Sequence, residues 1–429
     1  MSLKIIKFNA WPVRVLLILV AFLCVLAAWL FVKWNFANAV VSRLDADQPE
    51  SKLVAEWLAE IAPDDPQTHY AVGVVLERTF DPADLDRSLS EYETAAALSP
   101  NDYRVWLGLA GGRNLVGDID GANAAFDRAM GLAPNYSAVQ WAYGNFLIRQ
   151  DRADEGFVLI ANAAAADPKY ASPAVVTAME LYDGDPARVR QILGDSETTN
   201  TAIAGFLAGQ KRFDEASEAW SKVPIESKLG QFKELGDKLF AQMVMAKKFQ
   251  LAARIAGETN SDEKPTIGQI ANGGFETGVK LRNARLFEWQ IGEGGEPQIG
   301  LSDAQKHSGN YSLWMAFNTF ETAGFRTLQQ TAPVEGGRRY EFEVFYRSDL
   351  KTAATLKWEI IDAVTLATLA TTPPIVPAAD WMPLKAVFTV PATSDGVTIR
   401  LLRTGCNGSS CPMNGRLAFD DFSLGFIEH

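Results

Sequence analysis

Few side chains in this chain have the type and spacing to do chemistry. Its three histidines, His69, His307 and His429, stand far apart in the sequence. No nucleophile elbow, phosphate-cradling loop, dinucleotide fingerprint or HExxH zinc helix occurs. The acid pair Asp420-Asp421 falls in a predicted strand, where neighbours point to opposite faces, the wrong arrangement for paired acid–base work. These residue types predict a binding protein and not an enzyme. Of the three cysteines, Cys24 lies in an apolar run, while Cys406 and Cys411 bracket a turn-rich stretch. Their spacing allows a disulfide, and no Cys or His pair lies nearby to complete a zinc site.

The elements that must carry any binding surface show a repeat. Pro100, Pro134 and Pro168 are 34 residues apart, as are Tyr92, Phe126 and Ile160, and Ala95, Ala129 and Ala163. Ser88, Ala122 and Gly156 supply a small residue in the same register. A period of this length predicts stacked helical hairpins, with large side chains filling gaps left by small ones and proline stopping each second helix. A degenerate copy follows at Phe213, Ala216 and Trp220 before Pro224, and Leu239 to Ala256 reads as a further helical pair. Five to six hairpins are expected.

Residues 103–134, YRVWLGLAGGRNLVGDIDGANAAFDRAMGLAP, resemble the tetratricopeptide repeat, with Trp106, Leu109, Gly117, Ala122, Phe126, Ala129 and Pro134 in place. The likeness extends to 69–100 and 137–168, where Val72 and Gln140 replace the expected aromatic. It implies a groove lined by the first helix of each hairpin. Arg104 and Asn114 of one copy, and Trp141, Asn145 and Arg149 of the next, would face a protein partner there.

Charge is unevenly spread along a chain of net −12. Residues 1–43 hold five basic side chains and no acidic one, whereas residues 44–264 hold 21 basic against 35 acidic. An acidic helical region argues against nucleic acid, which needs a basic face. Val15 to Val32 carries no charge and is bounded by Arg14 and Lys33. From Trp11 to Trp34 it reaches the roughly 20 residues that cross a bilayer, with Trp11, Trp29 and Trp34 at interfacial depth. Lys4, Lys7 and Arg14 precede the span, so the positive-inside bias puts the N-terminus in the cytoplasm and exports the rest. That describes a single-pass protein of the inner membrane with its bulk in the periplasm or outside the cell. Ala37-Asn38-Ala39 offers the competing reading, a cleaved signal peptide, against which the apolar run is long.

From Ile270 the texture changes to alternating strands. Tyr340, Phe342, Val344 and Tyr346 share one face of RRYEFEVFYRS, and Leu356, Trp358 and Ile360 one face of LKWEI. Many such runs predict an antiparallel sandwich. The chain is therefore a multidomain α + β protein: a transmembrane anchor (1–43), an all-α repeat domain (44–264) and a β-sandwich (265–429).

NGGFETG at 272–278, HSGNYSLWM at 307–315 and LAFDDFSL at 417–424 come in the order seen in carbohydrate-binding modules of the family 4, 9 and 22 group, which this region resembles. The resemblance implies a jelly roll of the galactose-binding type. It also implies a structural calcium held by Glu276, one of Asp420 or Asp421, and backbone carbonyls near Asn310. A sugar site needs aromatic faces and polar side chains. With Tyr340, Phe342 and Val344 inward, Phe345 and Arg347 face outward. Lys357, Glu359 and Arg400 are expected on that same face, joined by Trp314. Two functions follow: a tethered scaffold that binds a protein partner and a glycan, in envelope or exopolysaccharide assembly, or an accessory protein that delivers a separate glycan-degrading enzyme.

Overall fold

A computed structural model describes residues 11–48, 50–259, 264–321, 325–406 and 410–427. Lys4, Lys7 and His429 lie outside the described residues. The chain divides into two compact units, residues 1–194 and 195–429.

The first unit is helical: α1 (Trp11–Val41), α2 (Ser51–Ile61), α3 (Pro66–Glu77), α4 (Pro82–Leu98), α5 (Tyr103–Leu115), α6 (Ile119–Leu132), α7 (Ser137–Arg149), α8 (Ala153–Ala166), α9 (Ala171–Leu181) and α10 (Pro186–Leu193). Its helices begin where the sequence caps them. Asp65, Asp81, Asp102, Asp118 and Asp185 each accept a first-turn N–H, and Pro66, Pro82 and Pro186 take first positions where no N–H is needed. Consecutive helices pair as α3 with α4, α5 with α6 and α7 with α8. The 34-residue register is carried by burial. Ala95, Ala129, Ala163 and Ile160 are wholly enclosed, and Tyr92 and Phe126 nearly so. Small residues set how closely the helices approach. A Cβ on Gly156 would stand 2.6 Å from the Gly144 carbonyl oxygen, and one on Gly144 2.7 Å from the Gly156 oxygen.

Helix α1 is long and apolar enough to cross a membrane. Its 31 residues span about 46 Å at 1.5 Å per residue. The C-terminal end of α1 is not bare. Ala37 is fully buried with Leu58 and Ala62, Val40, Val41 and Val54 pack around them, and Phe36 meets Trp57 edge-on at 6.1 Å. The helix runs unbroken through Ala37-Asn38-Ala39.

The second unit opens with α11 (Glu197–Gly209), α12 (Phe213–Ser221), α13 (Ile225–Leu229), α14 (Lys233–Met245) and α15 (Phe249–Thr259). Strands follow: β1 (Gln290–Ile291), β2 (Gln298–Ser302), β3 (Ser312–Glu321), β4 (Leu328–Pro333), β5 (Arg339–Ser348), β6 (Lys351–Thr352), β7 (Thr355–Asp362), β8 (Thr368–Thr371), β9 (Ala378–Thr389), β10 (Gly396–Thr404) and β11 (Ser410–Phe426). They form two antiparallel sheets, β1-β4-β10-β7-β8 and β2-β3-β11-β5-β9, with β6 on β11. The inward faces enclose one core that includes Trp289, Phe342, Trp358, Phe419 and Phe422. Cys406 and Cys411 are disulfide-bonded.

The last helix is tied to the sandwich through its N-terminus. The backbone N–H groups of Phe249 and Gln250 donate to the two carboxylate oxygens of Asp395 at 3.1 and 3.0 Å. First-turn N–H groups have no partner within their helix, so a carboxylate there satisfies them and complements the dipole. Gln250 Nε2 adds a bond to the Val334 carbonyl at 2.8 Å.

Candidate functional site

Three stretches distant in sequence meet at one corner of the sandwich. In the opening turn, Gly273 accepts from the Phe422 N–H at 3.0 Å, and a Cβ there would lie 2.1 Å from the Phe422 carbonyl oxygen. Phe275 is fully buried against Trp289 and Phe422. Glu276 accepts from the Asn310 N–H at 2.7 Å, Asn310 Nδ2 at 2.9 Å and the Tyr311 N–H at 3.1 Å. Those donors, the Asn310 and Tyr311 N–H groups first, hold its carboxyl below the usual range. Gly309 makes the approach possible. It sits at φ +57, and a Cβ there would stand 2.3 Å from a Glu276 carboxylate oxygen.

The acid pair does not alternate as strand neighbours should. Register shifts between Asp420 and Ser423, and Asp421 adopts φ +51. This bulge turns both carboxylates onto the same loop. Asp420, fully buried, accepts from the N–H groups of His307 at 2.8 Å and Ser308 at 3.2 Å. Burial pushes its carboxyl up against the opposing effect of those donors. Asp421 takes His307 Nδ1 at 2.6 Å and Ser308 Oγ at 2.7 Å.

The calcium expectation placed Glu276, Asp420 and Asp421 around a cation with carbonyls near Asn310. The structure brings the residues to one corner, but Glu276 faces N–H groups there and not carbonyls. Its oxygens and those of the two aspartates are taken up by N–H and O–H donors. Among the described residues no group of three or more His, Cys, Asp and Glu side chains is placed to hold a metal. As arranged, the set is a hydrogen-bonded clasp and does not fit a calcium ion.

The outer face of the β2-β3-β11-β5-β9 sheet carries the predicted aromatic platform. Across it, Gly300, Trp314, Ala418 and Arg347 stand in one cross-strand row. Trp314 is half-buried between the core residues Leu313 and Met315. It lines a groove of about 170 Å³ with Gln305, Arg347, Asp349, Arg416 and Ala418 among its walls. Phe345 lies on the same face, its ring stacked on His307 at 3.9 Å, and Trp381 meets His307 edge-on at 5.8 Å. The histidine is held for this contact by Asp421.

Lys357, Glu359 and Arg400 do not join that face. They lie on β7 and β10, in the other sheet. There Glu359 is buried and accepts from Arg400 Nε at 2.7 Å and Thr368 Oγ1 at 2.6 Å. Burial raises its carboxyl, but those two bonds and the charges of Arg400 and Lys357 together leave the group below its usual range. Alternation correctly set these residues on the strand face opposite Leu356, Trp358 and Ile360; it does not say which of two sheets that face belongs to. Sequence reasoning missed Gln305, His307, Trp381 and Arg416. Arg416 shares the face of Ala418, two residues on, and only the pairing of Ala418 with Trp314 and Arg347 brings it to the groove.

The predicted partner residues occupy α5 and α7. Arg104 is exposed and paired with Asp102 at 2.6 Å. Asn114 is half-buried near the end of α5. Trp141, Asn145 and Arg149 recur every fourth residue along α7, which makes them one stripe. Trp141 stacks on Tyr170 at 5.1 Å, and Asn145 Nδ2 donates to the Trp141 carbonyl at 2.8 Å.

No protein-family model matches this chain, and no curated protein matches it. Solved structures similar to it include a family 61 carbohydrate-binding module in complex with β-1,4-galactotriose, at 14% identity and TM-score 0.27, covering 36% of this chain and 96% of that one. A family 4 carbohydrate-binding module is 18% identical at TM-score 0.27, covering 37% and 99%. The xylan-binding CBM22-1 domain of Xyn10C from Paenibacillus barcinonensis is 12% identical at TM-score 0.25, covering 35% and 93%. At such scores the likeness adds nothing to the strand pairing described above.

Proposed function

We propose that this chain is a membrane-tethered, non-catalytic binding protein whose sandwich holds a glycan and whose helical hairpins hold a protein partner. The observation that carries the reading is the outer face of the β2-β3-β11-β5-β9 sheet. Trp314 and the His307–Phe345–Trp381 cluster offer ring faces to sugar C–H groups, and guanidinium and amide side chains stand beside them for hydroxyls. The 34-residue burial register supports reading the hairpins as tetratricopeptide-type, with the Trp141–Asn145–Arg149 stripe facing the partner. A tether, a protein-binding stack and a glycan site together suit envelope or exopolysaccharide assembly, by analogy of parts alone. The burial of Ala37 beneath α2 supports a retained anchor, since cleavage after Ala39 would cut a packed helix. Intact mass of the purified protein tests that part, and a mature N-terminus at Val40 would overturn it.

The glycan reading is tested on the full chain in detergent micelles by retention on a polysaccharide array. Trp314→Ala should weaken retention severalfold without shifting the melt. If the wild type binds no glycan, the sandwich is a docking module for protein and the reading fails.

A further inference from the structure

The groove around Ala418 contains more positive charge than a neutral sugar calls for. Arg347 stands directly across from Ala418, and Arg416 two residues before it on the same face of β11. Diagonal neighbours of this kind in an antiparallel sheet lie about 7–8 Å apart. Both arginines line one groove with Trp314. Among the described residues neither is in an ion pair, whereas Arg400 on the other sheet is spent on Glu359. The one carboxylate lining the groove, Asp349, accepts from the Arg416 backbone N–H at 2.5 Å. Ala418, small and buried, forms part of the groove wall beside them.

Resting on the glycan reading above, we propose that this groove selects an acid-bearing sugar, with Arg347 and Arg416 clamping the acid group and Trp314 stacking on the ring. A guanidinium presents two parallel N–H donors that match a carboxylate, a geometry an ammonium lacks. Two such groups on neighbouring strands of one groove exceed what hydroxyl recognition needs. The chain as a whole carries a net charge of −12, so general electrostatics repel a polyanion. Binding of one would have to come from this local pair.

The experiment is calorimetric titration of the full chain in detergent micelles with three probes: an oligogalacturonide, its methyl ester and a neutral β-1,4-galactan oligomer. The oligogalacturonide should bind at least tenfold tighter than the other two, and the difference should shrink with added salt. Arg347→Gln and Arg416→Gln should each remove most of that preference while the melt stays put. Should a glutamine variant fail to fold, Arg347→Lys serves in its place. It keeps the charge, loses the fork and should lose severalfold in affinity for the acid probe alone. Equal binding of acid and neutral probes by the wild type overturns the acidic-sugar assignment and leaves the glycan reading standing. Binding of none overturns both.

Discussion

Gly156 tests how closely α7 and α8 approach, and two effects of opposite sign meet there. Replacing a glycine inside a helix by alanine gains about 1 kcal/mol in backbone propensity. At Gly111, inside α5, an added Cβ has no atom within 4 Å, so that gain should appear undiminished. At Gly156 the same Cβ would lie 2.6 Å from the Gly144 carbonyl oxygen and 2.7 Å from Ile148 Cγ1. The first of these is backbone and can yield only if the helices separate. Overpacking of this kind costs roughly 1–3 kcal/mol, so the net at Gly156 is a loss of about 1 kcal/mol. The two variants should differ by about 2 kcal/mol, and in a unit of this size that is a gap of roughly 4–8 °C in Tm. Thermal melts followed by helical circular dichroism resolve it. Should Gly156→Ala raise the melt as Gly111→Ala does, the helices are not in backbone contact there. The placement of Trp141, Asn145 and Arg149, which ride on α7, would then need revision.

Two further outcomes follow from charge. The hydrogen bond from His69 Nδ1 to Glu91 at 2.5 Å holds the imidazole above its usual range, against its own burial. A raised folded value means the stabilisation is fully present below the unfolded value of about 6.5 and is lost as pH rises through the folded one. Stability of the helical unit should therefore fall by about 1 kcal/mol across that window, and His69→Gln should flatten the profile; an unchanged wild-type profile refutes the pairing. The carboxylates of the sandwich corner are taken up by N–H and O–H donors, so excess calcium or chelator should leave the melt in place. A metal that binds the folded state alone would instead add about 2.7 kcal/mol at a hundredfold excess over its Kd. Such a rise, abolished by Glu276→Ala, would restore calcium to the corner.

What the sequence disclosed depended on how local each cause was. The hairpins were legible because their determinants recur within one repeat: a small residue under a large one, aspartate or proline at the helix start, proline past the end. Inward and outward positions on β5, β7 and β10 were legible too, because alternation is a property of a single strand. Sheet membership is not. β5 pairs with β11 and β9, while β7, close behind it in sequence, pairs with β10 and β8. Lys357, Glu359 and Arg400 were grouped with Arg347 for want of that pairing. The acid pair failed for a different reason. Alternation predicts opposite faces, but the left-handed turn at Asp421 inserts a bulge, and a bulge cannot be counted from a strand's own pattern. That same bulge brings Asp421 to His307, and His307 to the Phe345 ring. The aromatic end of the glycan face thus depends on a break in the rule that located the rest of it. A substitution that restores regular pairing at Asp421 should disturb His307 before it disturbs the core, because the Phe422 side chain that follows is anchored by Trp289 and Trp358.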